Sequence, residues 1–279
     1  MTTQPTNIVP EAAGISLNRA RNQRPALELV LARVGTRVRT LTTTKGRRRL
    51  RRPAWWGTLR RHHGFDPVYG QTRGTPVDRY YIEHMLDTHR ELITGDVLEV
   101  NNREYVDRFG HDLASVTVLD IDATNPRATL VADLCREGSL PVGAFDCLVI
   151  TQTLHFLPDI DTALRNLLAS LKPGGTLLLT APVASPTSWP EHPLDSWRFM
   201  PRGLEILAHR HARPGDQFEV LTFGNRVTVA AFVLSLALED LRHRDLAPVD
   251  PLCPLLTALR FRRAGIVGGA QPLPATEPM

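Results

Sequence analysis

Apolar residues fall in short runs separated by polar or turn-forming residues over most of the chain. Residues 147–150 form a continuous apolar run, the pattern of a parallel strand buried on both faces. The run stops at Thr151, Gln152 and Thr153, so its carboxyl end is polar. Over 161–171, Leu164, Leu167, Leu168 and Leu171 recur at helical spacing. Pro173, Gly174 and Gly175 then predict a helix stop and a turn back, and 176–180 predicts the next strand. Upstream, 96–100, 116–120 and 128–132 are short, rich in Val and Leu, and bounded by polar residues, which predicts three more strands. Downstream, 218–223 and a stretch within 254–262 predict two further strands. Residues 227–241 are apolar at mixed spacing and predict a helix over the sheet. An amphipathic membrane helix is the sharper alternative, but the run is too short and too soon charged to span a bilayer.

Four motifs lie in order along this region: Phe145-Asp146, Leu154-His155, Leu157-Pro158-Asp159 and Leu171 to Gly175. Together with the strand after them they resemble the second half of a class I S-adenosylmethionine-dependent methyltransferase. The broad resemblance covers roughly residues 55–262. Narrower pieces at 55–61, 73–84, 195–204 and 224–241 look like a type 11-like bacterial subgroup of that family. The implied fold is α/β, a Rossmann-like doubly wound sheet, mostly parallel with an antiparallel last strand. Ligands of such sheets bind beyond the carboxyl ends of the strands.

The resemblance implies a set of cofactor contacts. Glu99 closes the first strand where the family has an acid. The Gly-rich loop that the family carries next is replaced by Asn101, Asn102, Arg103, Glu104 and Tyr105. Asn tolerates left-handed backbone angles, so Asn101 and Asn102 are expected to stand in for glycine. Asp120 would accept from the two ribose hydroxyls, with Asp122 as the alternative; a carboxylate has sites for both. Asp133 and Leu134 match the adenine contacts, although Asp133 also reads as a helix N-cap. Thr151 and Gln152 complete the cofactor side. S-adenosylmethionine is the implied cofactor.

Composition adds a boundary. Residues 1–61 hold fourteen Lys plus Arg against two acids, in a chain of net charge +4. Arg47, Arg48, Arg49, Arg51 and Arg52 cluster beside Trp55 and Trp56. We therefore divide the chain into a basic Arg-rich extension (1–54), a methyltransferase-like domain (55–269) and a disordered tail (270–279). The arm has the charge to contact nucleic acid or an anionic membrane, but docking on the acidic remainder or simple solvation is favoured. Leu27, Leu29, Val30, Leu31 and Val34 suggest that part of it is helical. Three cysteines without metal-like spacing give neither a disulfide scaffold nor a metal site. No signal peptide is read, and a bacterial cytoplasm is the expected location.

Methyl transfer from a sulfonium needs its acceptor held in line more than it needs covalent help. A base matters where the acceptor must lose a proton. His155, after the fourth strand, is the first candidate for base or orienting group. Tyr80, Tyr81 and His84 on a lead-in helix, and Trp197 and Arg198 with His192 and Asp195 after the fifth strand, are candidates for substrate contact. Arg198 suits an anion or an ordinary ion pair. The expected function is methyl transfer to an oxygen or nitrogen of a small molecule of specialised metabolism. The alternatives are a cyclase or isomerase on the same fold, or a non-catalytic binding protein using the basic arm. The acceptor and the oligomeric state are not encoded in any motif.

Overall fold

The computed structural model describes residues 57–187 and 194–265. The chain divides into two units, 1–60 and 61–279. The Arg47–Arg52 cluster, the helical stretch at 27–34, Trp55, Trp56, His192 and the tail 270–279 lie outside the described residues. Of the first unit, one 3₁₀ turn at Gly57–Leu59 is described.

The second unit is built on seven strands: β1 Gly95–Val100, β2 Leu113–Asp120, β3 Leu130–Val131, β4 Phe145–Thr151, β5 Leu171–Pro182, β6 Gln217–Phe223 and β7 Leu256–Arg262. Their order across the sheet is β3-β2-β1-β4-β5-β7-β6. β1 to β5 pair in parallel, and β7 runs antiparallel between β5 and β6. Among the described residues six helices flank the strands: α1 Val77–Thr88, α2 Glu104–Phe109, α3 Ile160–Ser170, α4 Pro201–His211, α5 Arg226–Val233 and α6 His243–Leu246.

The period of two along each strand sorts the core into two layers. Leu98, Leu148, Ile150, Leu177 and Leu179 pack with Leu164, Leu167 and Leu168 of α3 and Leu204 of α4. Their strand neighbours Val97, Cys147, Val149 and Leu178 pack the other way, with Tyr81, Ile82 and Met85 of α1, Val106 of α2 and Phe232 of α5. Every one of these strand residues is fully buried, so β1, β4 and β5 carry apolar residues in succession rather than in alternation.

Helix starts follow side-chain chemistry. Asp159 accepts from the backbone N–H of Thr162 and caps α3. Asn225 and Thr228 form a reciprocal capping box at α5.

Three expectations change in detail. Residue 171 belongs to β5, not to the helix: Leu171 pairs with Phe145, and the register resumes at Cys147 and Thr176. Lys172 to Gly175 are therefore a bulge within the pair, pinned by the Lys172 ammonium between Asp96 at 2.6 Å and Asp146 at 2.7 Å. The strand expected at 128–132 shrinks to two paired residues, because the Thr129 hydroxyl turns inward to accept from Val118 N–H. The helix expected over 227–241 ends at Val233. There Ser235 takes φ 55, its N–H bonds to the Phe232 carbonyl, and Leu236 N–H bonds to Ala231. This is the double hydrogen bond of a helix stop that glycine normally makes, and it was masked by the apolar residues that follow.

Candidate functional site

The sheet order reverses between β1 and β4. Loops leaving adjacent strands in opposite directions open a crevice at that point. The residues that leave the two strands both adopt left-handed backbone angles: Asn101 has φ 69 and Gln152 has φ 46. Such angles cost a non-glycine residue energy, and here they occur on both sides of one crevice. Gln152 is held by its N–H, which bonds the Thr180 carbonyl at 3.0 Å. Asn101 is held by its N–H to the Leu119 carbonyl at 2.8 Å. Asn102 accepts from Glu104 N–H through its side-chain oxygen at 2.8 Å and so opens α2. Thr151 ends β4, and its carbonyl accepts from the Thr153 hydroxyl.

Glu99 points toward α2. One carboxyl oxygen accepts from Tyr105 N–H at 3.1 Å and the other from Val106 N–H at 2.8 Å. The residue is 1% exposed. Burial outweighs these bonds and pushes its carboxyl up to about 7. Glu99 thus supplies the acceptors for orphan N–H groups of a helix start.

Asp120 ends β2. It accepts from Asp122 N–H at 2.9 Å and from the side-chain amide of Asn125 at 2.6 Å. Asn125 donates also to the Asn101 carbonyl at 2.8 Å, so one amide joins the loops after β1 and β2. Two of the four acceptor sites of Asp120 are filled, and the remainder suffice for a diol. Asp122 is turned to its own loop, and bonds to the Thr124 N–H and hydroxyl lower its pKa. Ile121 between them is 66% exposed, an apolar surface next to the acid. Asp133 is exposed and closes a short turn on Cys135 N–H. Leu134 is buried in the core, and its carbonyl accepts from Asn166.

The lead-in helix α1 divides its candidates. Tyr81 is buried against Phe223, and its hydroxyl donates to the Leu246 carbonyl at 2.9 Å. Burial raises its pKa. Tyr80 and His84 stack on each other and line a groove of about 430 Å³ between α1 and α2, beside the Arg108–Glu83 ion pair. The residue of α1 that reaches the crevice is Asp78. Its carboxyl lies 3.3 Å from the side-chain nitrogen of Gln152, and burial pushes it up to about 6.

His155 lies in a 3₁₀ turn after β4, 7% exposed, its ring against Phe156. Its carbonyl accepts from the N–H groups of Ser196 and Trp197, which fastens the segment after β5 to the end of β4. Trp197 donates its indole N–H to the Leu157 carbonyl and stays 43% exposed. Arg198 grips Asp195 through two nitrogens, at 2.5 and 3.0 Å, and also bonds the Pro186 carbonyl. It serves as an internal ion pair.

Asp78, Asn125 and Ile121 were not singled out from the sequence. Asp78 had a signal: it shares a helical face with Tyr81, Ile82 and Met85, so an acid stands on the apolar side of α1. Asn125 had none, since its role depends on two loops meeting. Among the described residues no group of His, Cys, Asp and Glu has the arrangement of a metal site.

The sheet is Rossmann-like and mostly parallel, with its reversed strand inserted next to the edge and two polar turns at the β1–β4 crevice. Residues 95–179 match the family described as a methyltransferase domain. Similar solved structures include an S-adenosylmethionine-dependent methyltransferase from Archaeoglobus fulgidus, at 14% identity and a TM-score of 0.44, covering 66% of this chain and 94% of that one. Another, from Mesorhizobium loti, has 16% identity and a TM-score of 0.42, covering 67% and 98%. The cyclase SpnF has 18% identity and a TM-score of 0.46, covering 73% and 88%. No curated protein sequence matches the chain significantly. No helix among the described residues is long and apolar enough to cross a membrane.

Proposed function

We propose that the protein transfers a methyl group from S-adenosylmethionine to an oxygen or nitrogen of a small-molecule acceptor. The observation that carries this reading is the pair of left-handed turns at Asn101 and Gln152, on either side of the β1–β4 crevice, the first linked to Asp120 through Asn125. Strain of this kind persists where the surrounding structure fixes it for a purpose.

The residues present fit such a cofactor. Asp120 has acceptor capacity left for a ribose diol. Ile121 offers an exposed apolar surface for the base beside it. The left-handed turn at Asn101 stands where a glycine turn would. When bound, the cofactor supplies a methyl group on a positively charged sulfur. The chain's own task is to hold an acceptor in line and to manage its proton. His155, beside the end of β4 and under the segment that carries Trp197, is assigned the orienting or proton-accepting role. Trp197 keeps exposed aromatic surface for the acceptor.

The test is release of S-adenosylhomocysteine from S-adenosylmethionine across a panel of phenols, alcohols and amines. Turnover with one of these supports the reading. A second reading, a reaction on the same fold without methyl transfer, is favoured by one observation: both oxygens of Glu99 are occupied by α2. Conversion of a substrate without release of S-adenosylhomocysteine would establish that second reading instead.

A further inference from the structure

We propose that Asp78 is the carboxylate that receives the ammonium group of the cofactor's amino-acid end, an inference that rests on the cofactor reading above. S-adenosylmethionine carries an ammonium and a sulfonium, and of these only the ammonium donates hydrogen bonds. At the β1–β4 crevice its charge calls for a carboxylate with acceptor sites turned inward.

The other acids nearby are committed. Glu99 gives both oxygens to the N–H groups of Tyr105 and Val106. Glu104 is exposed and paired with Arg79 at 2.8 Å. Asp120 lies one strand away, engaged by Asp122 and Asn125. Asp78 is different. It stands in the first turn of α1, on the face shared with Tyr81, Ile82 and Met85. Its carboxyl meets the side chain of Gln152, the residue that leaves β4 in a left-handed turn. An acid in a first turn suits the helix dipole, but an outward-facing residue would serve that purpose without the cost of burial. Arg79, its sequence neighbour, is turned to Glu104 and over the Tyr105 ring. Burial raises its pKa, and the bonds and the Arg79 charge around it offset only part of that rise. A cation arriving there forms a charge-assisted hydrogen bond.

The experiment compares S-adenosylhomocysteine with 5′-methylthioadenosine, which keeps the nucleoside and lacks the amino-acid end. Both are titrated into the full chain, wild type and Asp78→Asn, with circular dichroism as the folding control. The expected result is a loss of about tenfold or more for S-adenosylhomocysteine in the variant, with 5′-methylthioadenosine changed by less than about twofold. Equal weakening of both ligands, or no change in either, overturns the proposal. A wild type that binds 5′-methylthioadenosine alone overturns it while leaving the nucleoside site standing. A wild type that binds neither ligand removes the cofactor reading and this proposal with it. Should Asp78→Asn fail to fold, the wild type is titrated with decarboxylated and with deaminated S-adenosylhomocysteine. Tighter binding of the decarboxylated form, which keeps the ammonium, supports the proposal, and the reverse order overturns it.

Discussion

Asn125 donates its side-chain amide to the Asp120 carboxylate at 2.6 Å. Because the same nitrogen also reaches the Asn101 carbonyl, the acid at the end of β2 is oriented by a residue that also sets the loop after β1. Asn125→Ala removes both bonds at once. A net hydrogen bond contributes about 1 kcal/mol, so S-adenosylhomocysteine affinity should fall roughly fivefold through loss of orientation. Thermal stability should fall by much less than in a core truncation. Calorimetry with a melting curve checks both; unchanged affinity would show that the bridge does not support the site.

The turn at Asn101 makes a prediction about backbone rather than side chain. At φ 69 glycine fits without cost, whereas a β-branched residue does not. Asn101→Gly should keep stability and cofactor affinity near wild type. Asn101→Val should lose about 1–2 kcal/mol and weaken binding. Urea unfolding of the two variants separates them, and equal stabilities would contradict the left-handed turn.

Glu99 links stability to pH. Its folded pKa, about 7, is raised by burial above the ordinary 4.5. The folded state then binds the proton more tightly than the unfolded state does. The contribution of Glu99 is therefore fully present below about pH 4.5 and is lost as pH rises through about 7. The loss is on the order of 3 kcal/mol. Glu99→Gln should be costly at low pH, where neutral Glu99 is well tolerated, and should gain relative to wild type as pH rises. Denaturant midpoints for both proteins from pH 4.5 to 7.5 check this; parallel curves would refute it.

The sheet was largely legible because its strands carry unbroken apolar runs. β4, with Cys147, Leu148, Val149 and Ile150, and the α3 spacing of Leu164, Leu167 and Leu168 fixed a strand–helix–strand unit around which the rest could be counted. What failed to show was pairing and punctuation. Leu171 reads as a helical residue until Phe145 lies opposite it, and Ser235 reads as ordinary until its φ stops α5. At the site, Glu99, Asn101 and Asp120 could be named because they end or follow strands. Asn125 could not, because it acts through Asn101, distant in sequence, and Asp78 shows only as an acid on the apolar side of α1 until Gln152 lies beside it. Arg198 was open to an anionic ligand or to an ion pair, and the fold gives it Asp195.

The proposed function requires the β1–β4 edge to bind S-adenosylmethionine through a polar arrangement that includes Asp120. Titration calorimetry of wild type and Asp120→Ala with S-adenosylmethionine and S-adenosylhomocysteine tests it most directly. The account predicts micromolar binding by the wild type and a loss of at least about tenfold in a variant that still folds. No binding by a folded wild type, or full binding by Asp120→Ala, would contradict it.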